Sequence, residues 1–433
     1  MDKQDDKQER VIPKLRFPEF QTTLGWSNKP LSKLANRITS KNKSGEITRV
    51  FTNSANDGVV DQSDYFDREI ANKDNLNGYY IIELGDYVYN PRISTAAPVG
   101  PISKNKIAKG VMSPLYTVFR FHQTDNDFYE HYFKTNCWHK YLQHVSNSGA
   151  RHDRMNITND DFMAMPVPIL SPEEQQKIAD CLSSIDELIE LQEQKLAALK
   201  QHKKGLMQQL FPSHNDLQAS KQAIVYPKLR FPQFKDCEGW RVVKLGNVFK
   251  RITLKNKENN QNVLTISAQY GLISQLDFFN KSVSAKNITG YYLLHKGDFA
   301  YNKSYSNGYP WGAVKPLKLY DKGVVSTLYI CFRLQELYSE YGSFFEHYFE
   351  TGLQNNEISQ IAQEGARNHG LLNVSVQDFF ENISICLPSP KEQEAIADCL
   401  SSLDKLISEE NEQIGRLKDH KKGLMQQLFP KIQ

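Results

Sequence analysis

This chain reads as an α+β protein made of two tandem globules, each followed by one long helix. The first observation behind that reading is an internal repeat. Pro-Lys-Leu-Arg-Phe-Pro-Glu-Phe at 13–20 returns at 227–234 with one change, Ile-Ala-Asp-Cys-Leu-Ser-Ser at 178–184 returns unchanged at 396–402, and 202–212 recurs letter for letter at 420–430. The second is a heptad spacing of apolar residues near the end of each copy. The third is a set of short Tyr-, Val-, Ile- and Phe-rich runs separated by glycine turns, the pattern of short strands. The copies agree best in their final segments and match only in pieces across the globules. Such a chain would present one surface twice to one kind of partner and two different surfaces to something else.

Taken in order, residues 1–12 are charged, lack an apolar run and read as a disordered leader; 13–170 form the first globule. Residues 78–90 and 290–302 each read as two strands around a Gly-Asp turn, and 115–121 and 328–334 as further strands. Helical stretches are expected around Glu130-His131-Tyr132-Phe133 and Glu346-His347-Tyr348-Phe349, with both histidines as packing residues on an apolar face. At 171–212 comes the central long helix. Ser171 caps it, Pro172 suits its first position, and Glu174 completes a capping box; Ser389, Pro390 and Glu392 repeat the device.

The seam then runs Ile178, Leu182, Ile185, Ile189, Leu196, Leu199, Leu206, Leu210, and in the second copy Ile396, Leu400, Leu403, Ile407, Ile414, Leu417, Leu424, Leu428. Only Gln192, Lys203, Glu410 and Lys421 are polar seam positions. Helices over Pro172–Leu210 and Pro390–Leu428 would each be roughly 58 Å long at about 1.5 Å per residue, and Phe211-Pro212 and Phe429-Pro430 stop them. The simplest arrangement pairs the two helices as a coiled coil; the alternative packs each on its own globule. Gly205 and Gly423 inside the pattern suggest close packing against another backbone. Residues 213–225 read as a linker, 226–388 as the second globule and 389–433 as the C-terminal long helix.

Composition bounds the function. Charged residues are 24% and the net charge is +3, so any nucleic-acid footprint must be local. No apolar run is long enough to span a bilayer, no membrane partner is expected, and the six scattered cysteines (137, 181, 237, 331, 386, 399), without a C-x-x-C pair, fit a reducing cytoplasm. Cys181 and Cys399, beside the seam, read as buried thiols. The chemistry-bearing motifs are missing. There is no Pro-Pro dipeptide for an amino-methyltransferase loop, no glycine-rich methionine-cofactor loop, and Asn302 stands where the stretch 297–304 would need a glycine to be a phosphate loop. Glu193-Gln194-Lys195 has nuclease letters but lies on the long helix without an acidic partner strand. The expectation is a chain with no active site, no metal and no cofactor of its own.

What remains is polar and basic decoration on loops at matching places in both globules. Lys41, Asn42 and Lys43 match Lys255, Asn256 and Lys257. Asn56, in Ser54–Gly58, corresponds to Gln269 beside Tyr270. Tyr89, Asn90, Arg92 and Ser94 correspond to Tyr301, Asn302, Lys303, Ser304 and Tyr305. Arg151, His152 and Arg154 correspond to Arg367, Asn368 and His369. These residue types contact phosphates and read base edges, so the set is the candidate DNA-binding surface; the bland alternative is a collection of solvated turns.

With Leu-Ser-Pro-Glu-Glu-Gln-Gln-Lys-Ile-Ala at 170–179 and Leu-Pro-Ser-Pro-Lys-Glu-Gln-Glu-Ala-Ile-Ala at 387–397, the arrangement resembles the specificity (S) subunit of bacterial type I restriction–modification enzymes over essentially the whole chain. The resemblance implies two target recognition domains, each reading half of a split double-stranded DNA site. It implies that the long helices pair antiparallel, with pseudo-two-fold symmetry, as spacer and docking surface. It also implies a non-catalytic subunit whose partners are two methyltransferase subunits carrying S-adenosylmethionine and two restriction/translocase subunits using ATP and magnesium. The competing classes are a self-sufficient nuclease or methyltransferase, and a coiled-coil scaffold whose globules bind protein.

Overall fold

The structure, a computed structural model, describes residues 10–65, 73–146, 153–213, 216, 224–267, 271–279, 287–305, 308–362 and 372–431. It divides into two compact units. Unit 1 is Met1–Glu193 together with Glu412–Gln433, and unit 2 is Gln194–Asn411. Each unit thus combines one globule with a stretch of both long helices.

In unit 1 an antiparallel four-stranded sheet has the order Ala35–Arg37, Thr117–Phe121, Tyr87–Tyr89, Ile102–Lys104. A second sheet runs Gly58–Asp61, Val50–Ser54, Gly110–Met112, Tyr80–Ile82, with one parallel pair at its centre. In unit 2 the first sheet recurs as Phe249–Arg251, Ile330–Leu334, Phe299–Asn302, Ala313–Pro316. The helices Asp127–Phe133 and Gly342–Glu350 cover these sheets with buried aromatic faces.

The two strands on either side of each Gly-Asp turn do not pair with each other: Tyr80–Ile82 joins one sheet and Tyr87–Tyr89 the other. The turn is a corner between sheets, and its chemistry repeats. Gly85 and Gly297 take φ of +88° and +89°, which only glycine adopts readily. The next residue, Asp86 or Asp298, is buried; it accepts the amide of Glu83 or His295 at 2.7 Å in each case and pairs with Arg120 or Arg333 from the neighbouring strand.

The long helices span Pro172–Leu210 and Pro390–Leu428. In unit 1, Lys421 pairs with Asp186 and Lys418 with Glu193; in unit 2, Lys203 pairs with Asp404 and Lys195 with Glu410. In both, one partner's number falls as the other's rises, so the helices run antiparallel. The named seam residues are all buried or half-buried, and the polar seam positions Lys203, Glu410 and Lys421 are the ones held in these cross-helix pairs.

Two expectations for the helices need correction. A Cβ built at Gly205 or Gly423 would meet nothing within 4 Å, so no backbone packs closely there; the seam is filled by neighbouring leucines and the glycines flank it. Cys181 and Cys399 are half-buried rather than buried, for the same reason.

Each globule is clasped between the start of one long helix and the end of the other. At the start, Arg16 donates through Nε and Nη2 to the Glu174 carboxylate at 2.7 Å, and Arg230 makes the same fork to Glu392 at 2.8 and 2.6 Å. Both pairs are almost wholly buried. The remaining guanidinium protons go to the carbonyls of Thr23 and Leu24, or of Cys237 and Glu238. The capping box is therefore only half made: Ser171 Oγ accepts the Glu174 amide at 3.2 Å, but the carboxylate turns away to the arginine. In the second copy the Glu392 amide donates to the Ser389 carbonyl instead.

At the other end, the amides of Leu15 and Leu229 donate to the last-turn carbonyls of Gln427 and Gln209. Phe429 then packs against Trp26, Phe128 and Tyr132, and Phe211 against Trp240, Phe344 and Tyr348. Strand pairing reaches into the stretches read from sequence as a disordered leader and a linker: Val11 exchanges hydrogen bonds with Trp26, and Ile224–Val225 pairs with Trp240–Arg241.

His131 and His347 are 2% exposed, and their Nε2 atoms lie 3.1 and 3.2 Å from the hydroxyls of Ser183 and Ser401 on the long helices. Burial, aided by Lys134 and Lys421 around the first and Lys203 around the second, pushes both imidazoles down to about 4. At neutral pH they are uncharged, so the 3.8 Å approach of His347 to Asp404 is not an ion pair there.

Two predictions follow from this frame. Removing one partner of a buried pair strands the other charge, so Glu174→Ala should cost about 3–5 kcal/mol while Arg16→Met with Glu174→Leu recovers most of it. Hydrogen exchange read unit by unit should show the loss in unit 1 alone; an equal loss in unit 2 would contradict the clasp. For the histidines, the folded pKa lies below the unfolded one, so the unfolded chain binds more protons between them. Stability should fall as pH drops from about 6.5 to about 4 and level off below, with each histidine contributing at most on the order of 3 kcal/mol. The paired change His131→Gln and His347→Gln should flatten that part of the curve in denaturant titrations at stepped pH.

Candidate nucleic-acid interface

In unit 1 three of the four candidate loops converge. The stretch after strand Tyr87–Tyr89 is tied to the chain beyond residue 152: the Ile93 amide donates to the Asp153 carbonyl at 2.9 Å and the Met155 amide to the Pro91 carbonyl at 2.8 Å, which sets Arg92 opposite Arg154. Asn90 fixes the loop from within, its Nδ2 donating to the Asn53 carbonyl and its Oδ1 accepting the Arg92 amide. Gly100 must be glycine, because a Cβ there would sit 2.0 Å from the Asn90 carbonyl oxygen. Together with Ser54, Ala55, Ser113 and Tyr116, these loops wall a cleft of about 310 Å³. Arg92 and Ser94 are exposed at its rim, and Asn56 is exposed on the adjoining turn. Arg154 is half-buried, and its Nε has no hydrogen-bond partner; Asp153 stands 3.8 Å away.

Four of the sequence candidates are structural, and this corrects the expectation. Asn42 is 1% exposed and Asn256 0%; each side chain spans its own loop, Asn42 bonding both backbone groups of Ile47, and Asn256 those of Asn260 plus the Ile288 carbonyl. Tyr89 and Tyr301 are core residues. Their hydroxyls donate to the carbonyls of Val99 and Trp311, and their rings stack on Phe162 and Phe379. Both strands are buried along the run that holds the tyrosine, Tyr87–Tyr89 and Phe299–Tyr301, so the ring enters the core and only the chain beyond it reaches the surface.

Lys41, Lys43 and Lys257 are exposed, but Lys41 and Lys43 lie outside the cleft lining. Lys255 is engaged, its Nζ donating to the Gly290 carbonyl and lying 4.1 Å from the centre of the Tyr292 ring. In unit 2, Asn302 repeats the Asn90 brace by accepting the Ser304 amide, and Gly312 repeats Gly100, its Cβ position 2.2 Å from the Asn302 carbonyl oxygen. Lys303 and Ser304 are half-buried, with the lysine pKa lowered by burial, and Tyr305 is 67% exposed. Arg151, His152, Gln269, Tyr270, Arg367, Asn368 and His369 lie outside the described residues.

Sequence reasoning missed Asn53, Tyr65 and Tyr116 on the cleft wall. Thr52 Oγ1 and the Tyr116 hydroxyl are 3.0 Å apart, and the matching Thr265 and Tyr329 were the available signal. The polar groups that line the cleft are guanidinium, amide and hydroxyl, the types that contact phosphates and base edges.

The description "Type I restriction modification DNA specificity domain" belongs to a family model that matches residues 31–201 and again 237–418. The crystal structure of a type I restriction–modification system S subunit from M. genitalium is 13% identical, with a TM-score of 0.53, covering 98% of this chain and 100% of that one. A structure described as the basis of complex assembly and conformational transition of the type I R-M system is 14% identical, with a TM-score of 0.50, covering 94% of this chain and 98% of that one. At such identities the structures speak for the fold, and the double match, spanning most of the sequence, speaks for the lineage: the chain belongs to the type I restriction–modification DNA specificity family.

Proposed function

We propose that this chain reads a split double-stranded DNA site, one part with each unit, and docks the subunits that methylate and cut, doing no chemistry itself. The observation that carries this reading is a contrast between exposed residues. On the long helices Asp180, Ser184 and Leu188 lie four apart on one face, and the same letters return as Asp398, Ser402 and Leu406, all exposed. Leu188 is 41% exposed and Leu406 49%. Farther along, His202, Lys204 and Gln208 return as His420, Lys422 and Gln426, again exposed. Neither core needs an exposed leucine at these places, whereas two copies of one partner would. The cleft-forming loops show the opposite: Asn56, Asp57 and Arg92 in unit 1 are replaced at the matching places in unit 2 by Gln269, Tyr270 and Ser304.

The partners in this reading are two methyltransferase subunits, supplying S-adenosylmethionine and the adenine chemistry, and two restriction/translocase subunits, supplying ATP and magnesium. The described helices include none long and apolar enough to cross a membrane, and the cytoplasm, where the chromosome is, is the proposed location.

Three outcomes are expected. Exchanging residues 236–386 for the corresponding domain of another specificity subunit should change one half of the methylated motif, read by single-molecule sequencing in a methylation-free host. A change in both halves, or in neither, contradicts the division of labour. Leu188→Glu with Leu406→Glu should lower methyltransferase association by at least about tenfold in sedimentation or pull-down, because it puts charges into a desolvated patch, while leaving the thermal transition of the free chain in place. Arg92→Ala should weaken DNA binding and reduce the salt slope of log K by about one, the signature of one lost phosphate contact. A salt-independent association would instead favour a protein-binding scaffold.

A further inference from the structure

The residues that line the unit 1 cleft include two with a buried polar atom that no hydrogen bond uses. Asn53 lines it, is 2% exposed, and has its amide locked: Nδ2 donates to the Val88 carbonyl at 2.7 Å and to the Pro101 carbonyl at 3.2 Å. Its Oδ1 is buried and accepts no hydrogen bond, and the Nε of Arg154, which also lines the cleft, is buried and donates none, the Asp153 carboxylate standing 3.8 Å away. A buried acceptor and a buried donor left unpaired in one cleft cost stability unless something completes them. The missing partner must offer a donor next to an acceptor. The Watson–Crick edge of an extruded nucleobase has that pattern, an N–H donor beside an acceptor.

Shape narrows the choice further. The edge of a base still stacked in a duplex meets the protein across a broad groove surface, and a recess of about 310 Å³ is too small to admit the duplex that carries it. A single unstacked base fits such a recess. Tyr65 and Tyr116 on the walls are the aromatic residues that hold extruded bases in proteins that act on them. Arg92 and Ser94, exposed at the rim, are placed for the flanking phosphates. The residue matching Asn53 in unit 2 is Ile266, half-buried and without an acceptor.

Resting on the DNA-reading function above, we propose that the unit 1 cleft takes one base of its half-site out of the double helix and reads it against Asn53 and Arg154. Asn53 is then a specificity-determining residue with no equivalent in unit 2.

The test uses the assembled methyltransferase complex and duplexes carrying its own motif. One base at a time is replaced by an abasic residue, on either strand and in both half-sites, and binding is measured. Removing the pairing partner of an extruded base spares the cost of unpairing it, so binding should tighten by about tenfold or more at that position. In the half-site read by unit 1, a gain is expected that disappears in Asn53→Ile and in Arg154→Ala, while any gain at the methylated adenine persists in both variants. The half-site read by unit 2 should show no gain sensitive to either change. If binding and methylation are intact but every gain survives both substitutions, or none exists in the unit 1 half-site, the base pocket is wrong and the reading function stands. If the complex assembles but shows no preference for its motif, the reading function itself fails. Circular dichroism of Arg154→Ala, a change at a half-buried side chain, separates a lost pocket from a lost fold.

Discussion

The rest of the molecule depends on a pair of buried ions made twice. Arg16 with Glu174, and Arg230 with Glu392, join the beginning of each globule to the first turn of the helix that leaves it, across more than 150 residues of chain. A buried pair of this kind is weak evidence for stability, because desolvation offsets much of the attraction. Its value is directional. A guanidinium fork that also caps two carbonyls accepts one geometry, so the angle at which the helix departs is fixed along with its position. The hydrophobic plugs Phe211 and Phe429 supply area without direction, and the ion pairs supply direction without much area.

This division explains where the repeat is strict. The segment 13–20 is repeated because Arg16 and Leu15 both have fixed partners, on the start of one helix and the end of the other. The segment 178–184 is repeated because Ile178, Ala179 and Leu182 enter the globule core while Ser183 meets a buried histidine. Identity at exposed places, Leu188 and Leu406 among them, has no such internal cause and points outward. The loops between the strands are released from both demands, and there the copies diverge.

Much of this was legible in the sequence. A period of seven, a proline at each first turn and a Phe-Pro at each end describe a helix with little ambiguity, and both helices are found over 172–210 and 390–428. The Gly-Asp corners were visible as turns, but not as passages between sheets, since pairing partners far along the chain leave no local mark. The site was legible by loop and not by residue. Arg92 and Arg154 come together, whereas Asn42, Asn256, Tyr89 and Tyr301 serve the fold. Asparagine and tyrosine suit a turn or a core as well as they suit a base, and only the direction of the side chain tells which. Asn53 escaped notice because it sits inside a strand, between Thr52 and Ser54, where its amide serves two carbonyls that sequence does not reveal.

Unit 1 is assembled from both ends of the chain: its globule comes first, yet Leu428 and Phe429 belong to its core. During synthesis at roughly 5–20 residues per second, the first globule emerges and then waits on the order of ten to fifty seconds for the strand of peptide that plugs it. Throughout that interval the aromatic socket of Trp26, Phe128 and Tyr132 is open. Unit 2 has no such delay, because Phe211 is made before the globule it enters. The second half of the chain therefore has the means to finish folding first. The identical helix end at 202–212 is meanwhile already at hand and could occupy the first socket in error, a hazard that a strictly repeated design carries through its own synthesis.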